Sequence, residues 1–409
     1  MSSKAFIKRV FREYYADEAD KLTAPSLVGK REFGFISFEN VMVRHRAFES
    51  EGDMRAFLKD FVPSDAYYSC AYYEDPRADM ERKGWQGADL IFDIDADHIP
   101  TPCDKVHDEW VCGSCKFSGK GVPPDICPAC GKEKFEVSTW PCEVCLKSAK
   151  EETIKLLDML VHDFSFSKSE VHVFFSGHRG YHVHVESEAV RTLDAIARKE
   201  IVDYLTGLGL NLALHGLDEK TWRALQSSGF LHLRDFGWRK RIVEGSQKFI
   251  QSAEEKDFRK IGFDKDAVEA ILRSRDSIVK KLDNGIWTTV KGFSFGSWKK
   301  ITEYVIRLNS AKIDTVVTTD IHRLIRLTGT LHGKTGFKKV EFPASVIHKF
   351  DPFKESIALK KGTVRVFVSS APAFRIGDEV FGPYENREID LPVAAAVLLI
   401  CKERAKVIE

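Results

Sequence analysis

DLIFDIDADH, residues Asp89–His98, passes from a block of apolar side chains straight into a block of carboxylates. Leu90, Ile91 and Phe92 make the short continuous apolar run expected of a buried strand. Residues two apart on a strand point to the same face, so Asp93 and Asp95 project together at its end. Two carboxylates so placed repel each other unless a cation lies between them. Hard oxygen donors suit Mg²⁺ or Mn²⁺, and a pair of such ions can bridge an attacking hydroxyl and a leaving phosphate. The competing reading is a solvated acidic turn. Asp89 and Asp97 add carboxylates nearer the loops.

Working outward, Val171–Phe175 and Tyr181–Glu186 read as a strand pair joined through the tip of FSGHRGYHVHV, residues 175–185. Its glycines permit a tight turn that leaves backbone amides free to meet an anion. Ser176, Arg179 and His182 are candidate donors to triphosphate oxygens, with His178 beside them; arginine offers planar bidentate contacts. An ordinary structural hairpin is the alternative. IDTVVTTDIHRLIRLTGTLHGKTG, residues 313–336, carries Asp314 and Asp320, then His322, Arg323 and Arg326, then His332 and Lys334. So many cations on a short helix-to-loop passage suit a polyphosphate site, although Arg323 and Arg326 also fit a solvated helix face. Near the start, Arg31–Phe38 and Val41–Phe48 read as a hairpin turning at Glu39-Asn40. Glu32 and Arg44, on its neighbouring strands, are placed for a cross-strand salt bridge.

Six of the nine cysteines form CxxC pairs, a metal-ligand spacing rather than a disulfide pattern. Cys112, Cys115, Cys127 and Cys130 resemble a zinc ribbon, and Cys103, His107, Cys142 and Cys145 suffice for a second tetrahedral site. Spacing rules alone also admit a rival pairing, with Cys103, His107, Cys112 and Cys115 in one site and Cys127, Cys130, Cys142 and Cys145 in the other. Either way the ligands are all protein, so one or two zinc ions would be structural. Cys70 and Cys401 read as core residues.

The 409 residues imply two or three structural units. With 62 basic and 61 acidic side chains the net charge is +1, which excludes a protein coated in DNA-binding charge. A local basic groove beside an acidic site remains compatible. The first residues lack the apolar stretch of a signal peptide. The longest apolar run, Leu391–Cys401, falls short of the about 20 residues that span a bilayer. With Asp390 as N-cap and Pro392 in the first turn it predicts a buried helix. The expectation is a soluble, cytoplasmic protein with no membrane partner. The fold class is mixed α/β: a core in three parts (1–102, 146–208 and 306–409), a zinc-binding insertion (103–145) and a charged helical subdomain (209–305). Alternation around Thr315–Val317, Lys339–Phe342 and Val364–Ser369 predicts strands that rejoin the first sheet.

Taken in order, REFGF and VRHRAF, DLIFDIDADH, the cysteine cluster, FSGHRGYHVHV and IDTVVTTDIHRLIRLTGTLHGKTGF resemble the archaeal and eukaryotic DNA primase small (catalytic) subunit. The resemblance covers most of the chain and is weakest over 209–305. It implies the mixed α+β primase core of the primase-polymerase superfamily. It also implies a nucleotidyltransferase of the replication machinery that starts short primers de novo on single-stranded DNA from nucleoside triphosphates. Asp93, Asp95 and Asp314 would hold two Mg²⁺ or Mn²⁺ ions, Asp314 being preferred to Asp320 by its distance upstream of HGKTG. Ser176, His178, Arg179 and His182 would hold the triphosphate, helped by Arg326 and His332; Glu32 and Arg44 would lie near the nucleotides during initiation. Eukaryotic relatives tend to carry lysine where Arg326 stands. A large regulatory subunit is the implied partner, in a heterodimer. The family usually has one zinc site, so Cys112–Cys130 reads as an inserted ribbon. Other readings are a repair-type primase-polymerase, a metal-dependent nuclease or phosphatase, and a non-enzymatic zinc-ribbon module that binds nucleic acid.

Overall fold

A computed structural model describes residues 1–215, 219, 231, 234–287 and 294–408. The chain divides into two compact units: Met1–Ile154, Phe166–Lys199 and Lys312–Glu409 form one, and Lys155–Ser165 with Glu200–Ala311 the other. The expected helical subdomain ran from 209 to 305; the observed unit also takes in 200–208, 306–311 and a piece of the long helix Glu143–His162. Among the described residues no helix is long and apolar enough to cross a membrane.

Two antiparallel four-stranded sheets build the first unit. One orders its strands Leu324–Arg326, Asp65–Ser69, Phe33–Ile36 and Met42–Arg46; the other orders Val340–Phe342, Val171–Phe175, Gly180–Val185 and Leu90–Asp95. The apolar run of the aspartate strand is buried as expected, with Leu90 and Phe92 at 0% and Ile91 at 2% exposure. Between the sheets, the buried Arg31 pairs with Asp89 at 2.7 Å. Asp89 is thereby held in the core with its partner beside it. The opening helix Ser3–Glu18 buries Phe6, Ile7, Val10, Phe11, Tyr14 and Tyr15, the stripe its 3.6-residue period dictates.

Four local expectations are corrected. Thr315–Thr319 is a helix, not a strand. The Asp314 carboxylate accepts from the Val316 and Val317 amides at 2.9 and 3.3 Å, and that cap outweighs the weak β-preference of TVVTT. Arg323 and Arg326 do not share a helix face, because Leu324–Arg326 is a strand paired to Asp65–Ser69. The last helix starts at Val393, after Pro392 and not after Asp390. Asp390 instead pairs with Arg365 in the ladder between Thr363–Ala371 and Tyr384–Pro392, which claims the backbone up to Pro392. Those strands form a separate three-stranded sheet with Ala405–Val407 rather than rejoining the first.

The second unit is helical. Helices Gly237–Ser252, Lys265–Arg273, Arg275–Asp283 and Phe295–Asn309 enclose a core that includes Ile242, Ile250, Trp287 and Trp298. Its basic run is internally neutralised: Arg241 pairs with Asp158 and Asp163 at 2.7 and 2.8 Å, Arg239 with Asp235 at 3.1 Å and Lys240 with Glu244 at 3.7 Å.

Candidate active site

The register of the second sheet builds the acidic side of the site. Asp95 lies opposite Gly180 and Asp93 opposite His182. A β-carbon on Gly180 would run into the Ile94 carbonyl, so the hairpin can approach the aspartate strand this closely only with glycine there. Asp314 arrives from far along the chain, its backbone N–H donating to the Asp93 carbonyl at 2.9 Å. Burial, then the Asp95 and Asp314 carboxylates, push Asp93 up to about 7. Asp95 is raised too, by burial and by Asp97. Such mutually repelling carboxylates form an all-oxygen donor set, which fits a hard divalent cation. Asp320 makes no such bond to Asp93: its carboxylate accepts from the His322 amide at 3.0 Å and its carbonyl faces the Cys70 thiol.

Opposite the carboxylates stands a cationic and imidazole wall. Asp93, Asp95, Ser176, His178, His182, Arg323, Arg326 and His332 line one cavity of about 200 Å³, together with Tyr67. Ser176 Oγ accepts from the His178 and Gly180 amides, both at 3.2 Å, which leaves its own O–H as a donor. Thr335 Oγ1 donates to the Gly177 carbonyl at 2.6 Å and the His178 and His332 rings stack at 5.0 Å, so the two loops form one surface. Arg326 is aimed by Asp65 at 2.7 Å and lies over the Tyr67 ring. Burial, followed by Lys339, Arg326 and Arg323, holds His182 well below the usual imidazole value. His332 is lowered in the same way, by burial and then by Arg326 and His178. Burial and the neighbouring cations thus favour the neutral form of both imidazoles. A larger hollow of about 430 Å³ on the Val340–Phe342 side contains none of the candidate residues.

Arg179 lies elsewhere. Its guanidinium is completely buried, 2.7 Å from Asp108 Oδ2, 2.8 Å from Asp97 Oδ1 and 3.4 Å from Cys145 Sγ. It ties the hairpin to the zinc-binding segment and does not line the cavity, which corrects its expected place as a phosphate donor. Two neighbouring carboxylates compensate its buried charge. Glu32 and Arg44 also lie outside the cavity. They make the cross-strand pair at 2.9 Å, and Glu32, fully buried, takes Lys83 at 2.9 Å as well.

The cysteines resolve into two clusters, Cys103/His107/Cys142/Cys145 and Cys112/Cys115/Cys127/Cys130, whose ligand atoms lie within 4.8 Å of one another. Sulfur separations of 3.6 Å for Cys112–Cys130 and for Cys115–Cys127 are close to the about 3.8 Å edge of a tetrahedron with Zn–S bonds of about 2.3 Å. The rival pairing is thereby ruled out. The ribbon's sheet brings it about, since Glu109–Cys112 pairs with both Ser118–Lys120 and Phe135–Ser138. In the second cluster His107 Nδ1 bonds Asp108 at 2.8 Å, turning Nε2 toward Cys103 and Cys145, each 3.5 Å away. These residues could hold zinc.

Sequence reasoning missed Asp65, Tyr67, Asp108 and Lys402. Each acts on a candidate residue through a contact between distant parts of the chain, and no local motif marks any of them.

This geometry has counterparts among known proteins. The sequence model of the DNA primase small subunit matches residues 137–343. The chain is 30% identical over 403 residues to the DNA primase small subunit of Nitrosopumilus maritimus, covering 98% of each. To that of Methanothrix thermoacetophila it is 32% identical over 432 aligned positions, covering 100% of each. To that of Archaeoglobus fulgidus it is 33% identical over 407, covering 98% of each. Carboxylate edge, basic wall and these matches together define a primer-synthesising enzyme of the nucleotidyltransferase kind. The chain belongs to the DNA primase small subunit family and is the catalytic subunit of a DNA primase, acting in DNA replication.

Proposed function

We propose that the chain joins two nucleoside triphosphates on a single-stranded DNA template and extends the product, with the cavity lined by Asp93 and Asp95, and with Asp314 beside it, as the reaction centre. The observation that carries this is one cavity in which the Asp93 and Asp95 carboxylates, with Asp314 bonded to the Asp93 backbone, meet an imidazole and arginine wall. Asp93, Asp95 and Asp314 would hold Mg²⁺ or Mn²⁺. Bound there, a pair of such cations lowers the pKa of the 3′-hydroxyl and neutralises charge developing at the α-phosphate.

The chain's own side chains do the rest. Ser176 donates its O–H, and His178, His182 and His332 offer ring N–H groups to triphosphate oxygens. Arg326, already oriented by Asp65, meets the charge that gathers on the departing pyrophosphate. Proximity does much of the work, since a bound pair of nucleotides reacts as one molecule. Zinc in both clusters would be structural, bracing the segment that carries Asp108 against Arg179. Asp97, which shares Arg179, donates its backbone N–H to Asp95 Oδ1 at 2.9 Å; the brace therefore reaches the carboxylates. Arg179 acts here as that brace and not as a phosphate ligand. The core would be that of the primase-polymerase superfamily, and a large regulatory subunit would complete a heterodimer inside the cell.

The test is incorporation of labelled nucleotides on unprimed single-stranded DNA, with Mg²⁺ or Mn²⁺, with and without the large subunit. Dinucleotides and longer products that vanish in Asp93→Ala are expected. Extension only of supplied primers, with the large subunit present, would point to a repair-type polymerase. No incorporation under any condition would sink the proposal.

A further inference from the structure

Lys402 is out of place by ordinary rules. It follows the apolar helix Val393–Cys401 and is only 6% exposed. Buried lysines are rare unless paired with an acid, yet no carboxylate pairs with it among the described residues. Its ammonium instead lies 2.8 Å from Nε2 of His178, a cavity residue 224 positions earlier.

The placement is rigid from both sides. Val397 of the same helix packs where a β-carbon on Gly336 would be, which holds the helix against the HGKTG loop. Just beyond, Arg404 pairs with Glu109 of the zinc-binding segment at 2.8 Å. Thr139, where the chain leaves that segment, sets its hydroxyl 3.3 Å from the same His178 nitrogen. Two distant stretches thus converge on one imidazole edge. Burial, then Lys334 and Arg179, push Lys402 down to about 7. His178 is lowered by burial and then by Lys402, Arg179, Lys334 and Arg326. Arg179 and Arg326 already have carboxylate partners, whereas no carboxylate pairs with Lys402 among the described residues, so an anion bound in the cavity would favour its charged form.

An ammonium has three donors and no acceptor, so the nitrogen it meets must accept. Resting on the proposed function above, we propose that Lys402 is a positioning residue of the nucleotide site: in the nucleotide complex it donates to His178 Nε2, places the ring proton on Nδ1, and so presents His178 as a fixed N–H donor to the triphosphate. Lys402 does not line the cavity and works through His178.

Lys402→Met and Lys402→Arg test this in the full chain combined with the large subunit, extending a primed template. Lys402→Met should raise the nucleotide KM about tenfold with kcat within about threefold of wild type, the size of one charge-assisted contact. Lys402→Arg, which retains the donor, should bring KM back to within about threefold. An unchanged KM in Lys402→Met, a loss of kcat alone, or no rescue by arginine would overturn the inference. Should Lys402→Met not fold, ¹⁵N spectra of the histidine rings in wild-type protein saturated with Mn²⁺-free GTP decide it, with His178→Gln giving the assignment. A neutral Nδ1–H tautomer supports the assignment; an Nε2–H ring refutes it. Wild type that incorporates nothing would count against the proposed function alone, because equilibrium binding of GTP to wild type and Lys402→Met still reads this contact.

Discussion

Asp93→Asn should make the cation-free protein more stable while abolishing primer synthesis. Asp93 is pushed up to about 7 from the usual carboxylate value near 3.8. With the folded value above the unfolded one, the native state binds more protons between those two values. Stability therefore falls as pH rises through that window, and the whole penalty is present above about pH 7. At 1.36 kcal/mol per pH unit the gap corresponds to about 4 kcal/mol. That is a ceiling, because the Asp93 side chain is 28% exposed and water screens part of the repulsion. Asparagine keeps the shape and removes the charge, so ~1–2 kcal/mol of stabilisation is expected at pH 8, or ~2–4 °C in Tm for a unit of this size. The assay is thermal unfolding in buffer free of Mg²⁺ and Mn²⁺ but with zinc retained. The difference between variant and wild type should shrink toward pH 4, and added Mn²⁺ should raise the wild-type Tm more than the variant's. A variant less stable than wild type at pH 8 without cations would refute the reasoning, because Asp93 would then be stabilising the fold rather than straining it.

Asp314→Asn should cost at least about a thousandfold in incorporation, as loss of a cation ligand does, whereas Asp320→Asn should stay within about threefold; equal losses would overturn the choice between them. Arg179→Met leaves Asp108 buried without its cation and should destabilise the fold by about 3–5 kcal/mol in denaturant titration, and a cost under about 1 kcal/mol would contradict the brace. Two zinc ions per chain are expected by elemental analysis, falling to one in Cys115→Ser; a count that stays at two would disprove Cys115 as a required ligand.

Much of the site was legible in local pattern. Period-two alternation placed Asp93 and Asp95 on one face, and the Ser176–Gly180 tip is the turn its glycines suggest. CxxC spacing announced metal ligands but not their partners, because pairing depends on how the Glu109–Cys112 strand meets its neighbours. The TVVTT segment was misjudged for a similar reason. Its residues favour strand weakly, and the decision lay with a capping carboxylate that is itself a candidate cation ligand.

What the sequence determined by itself was therefore the chemistry on offer: a carboxylate strand end, a hairpin with donors at its tip, a cation-rich third segment, and cysteines and a histidine at metal-ligand spacing. Tertiary structure alone decided which of these groups meet. It brought Asp314 rather than Asp320 to Asp93, turned Arg179 away to Asp97 and Asp108, and set Lys402 against His178. Side-chain periodicity reports a residue's own element, whereas these contacts join parts of the chain far apart in sequence. Their energies depend on burial and on neighbouring charge, and neither exists until the sheets have formed.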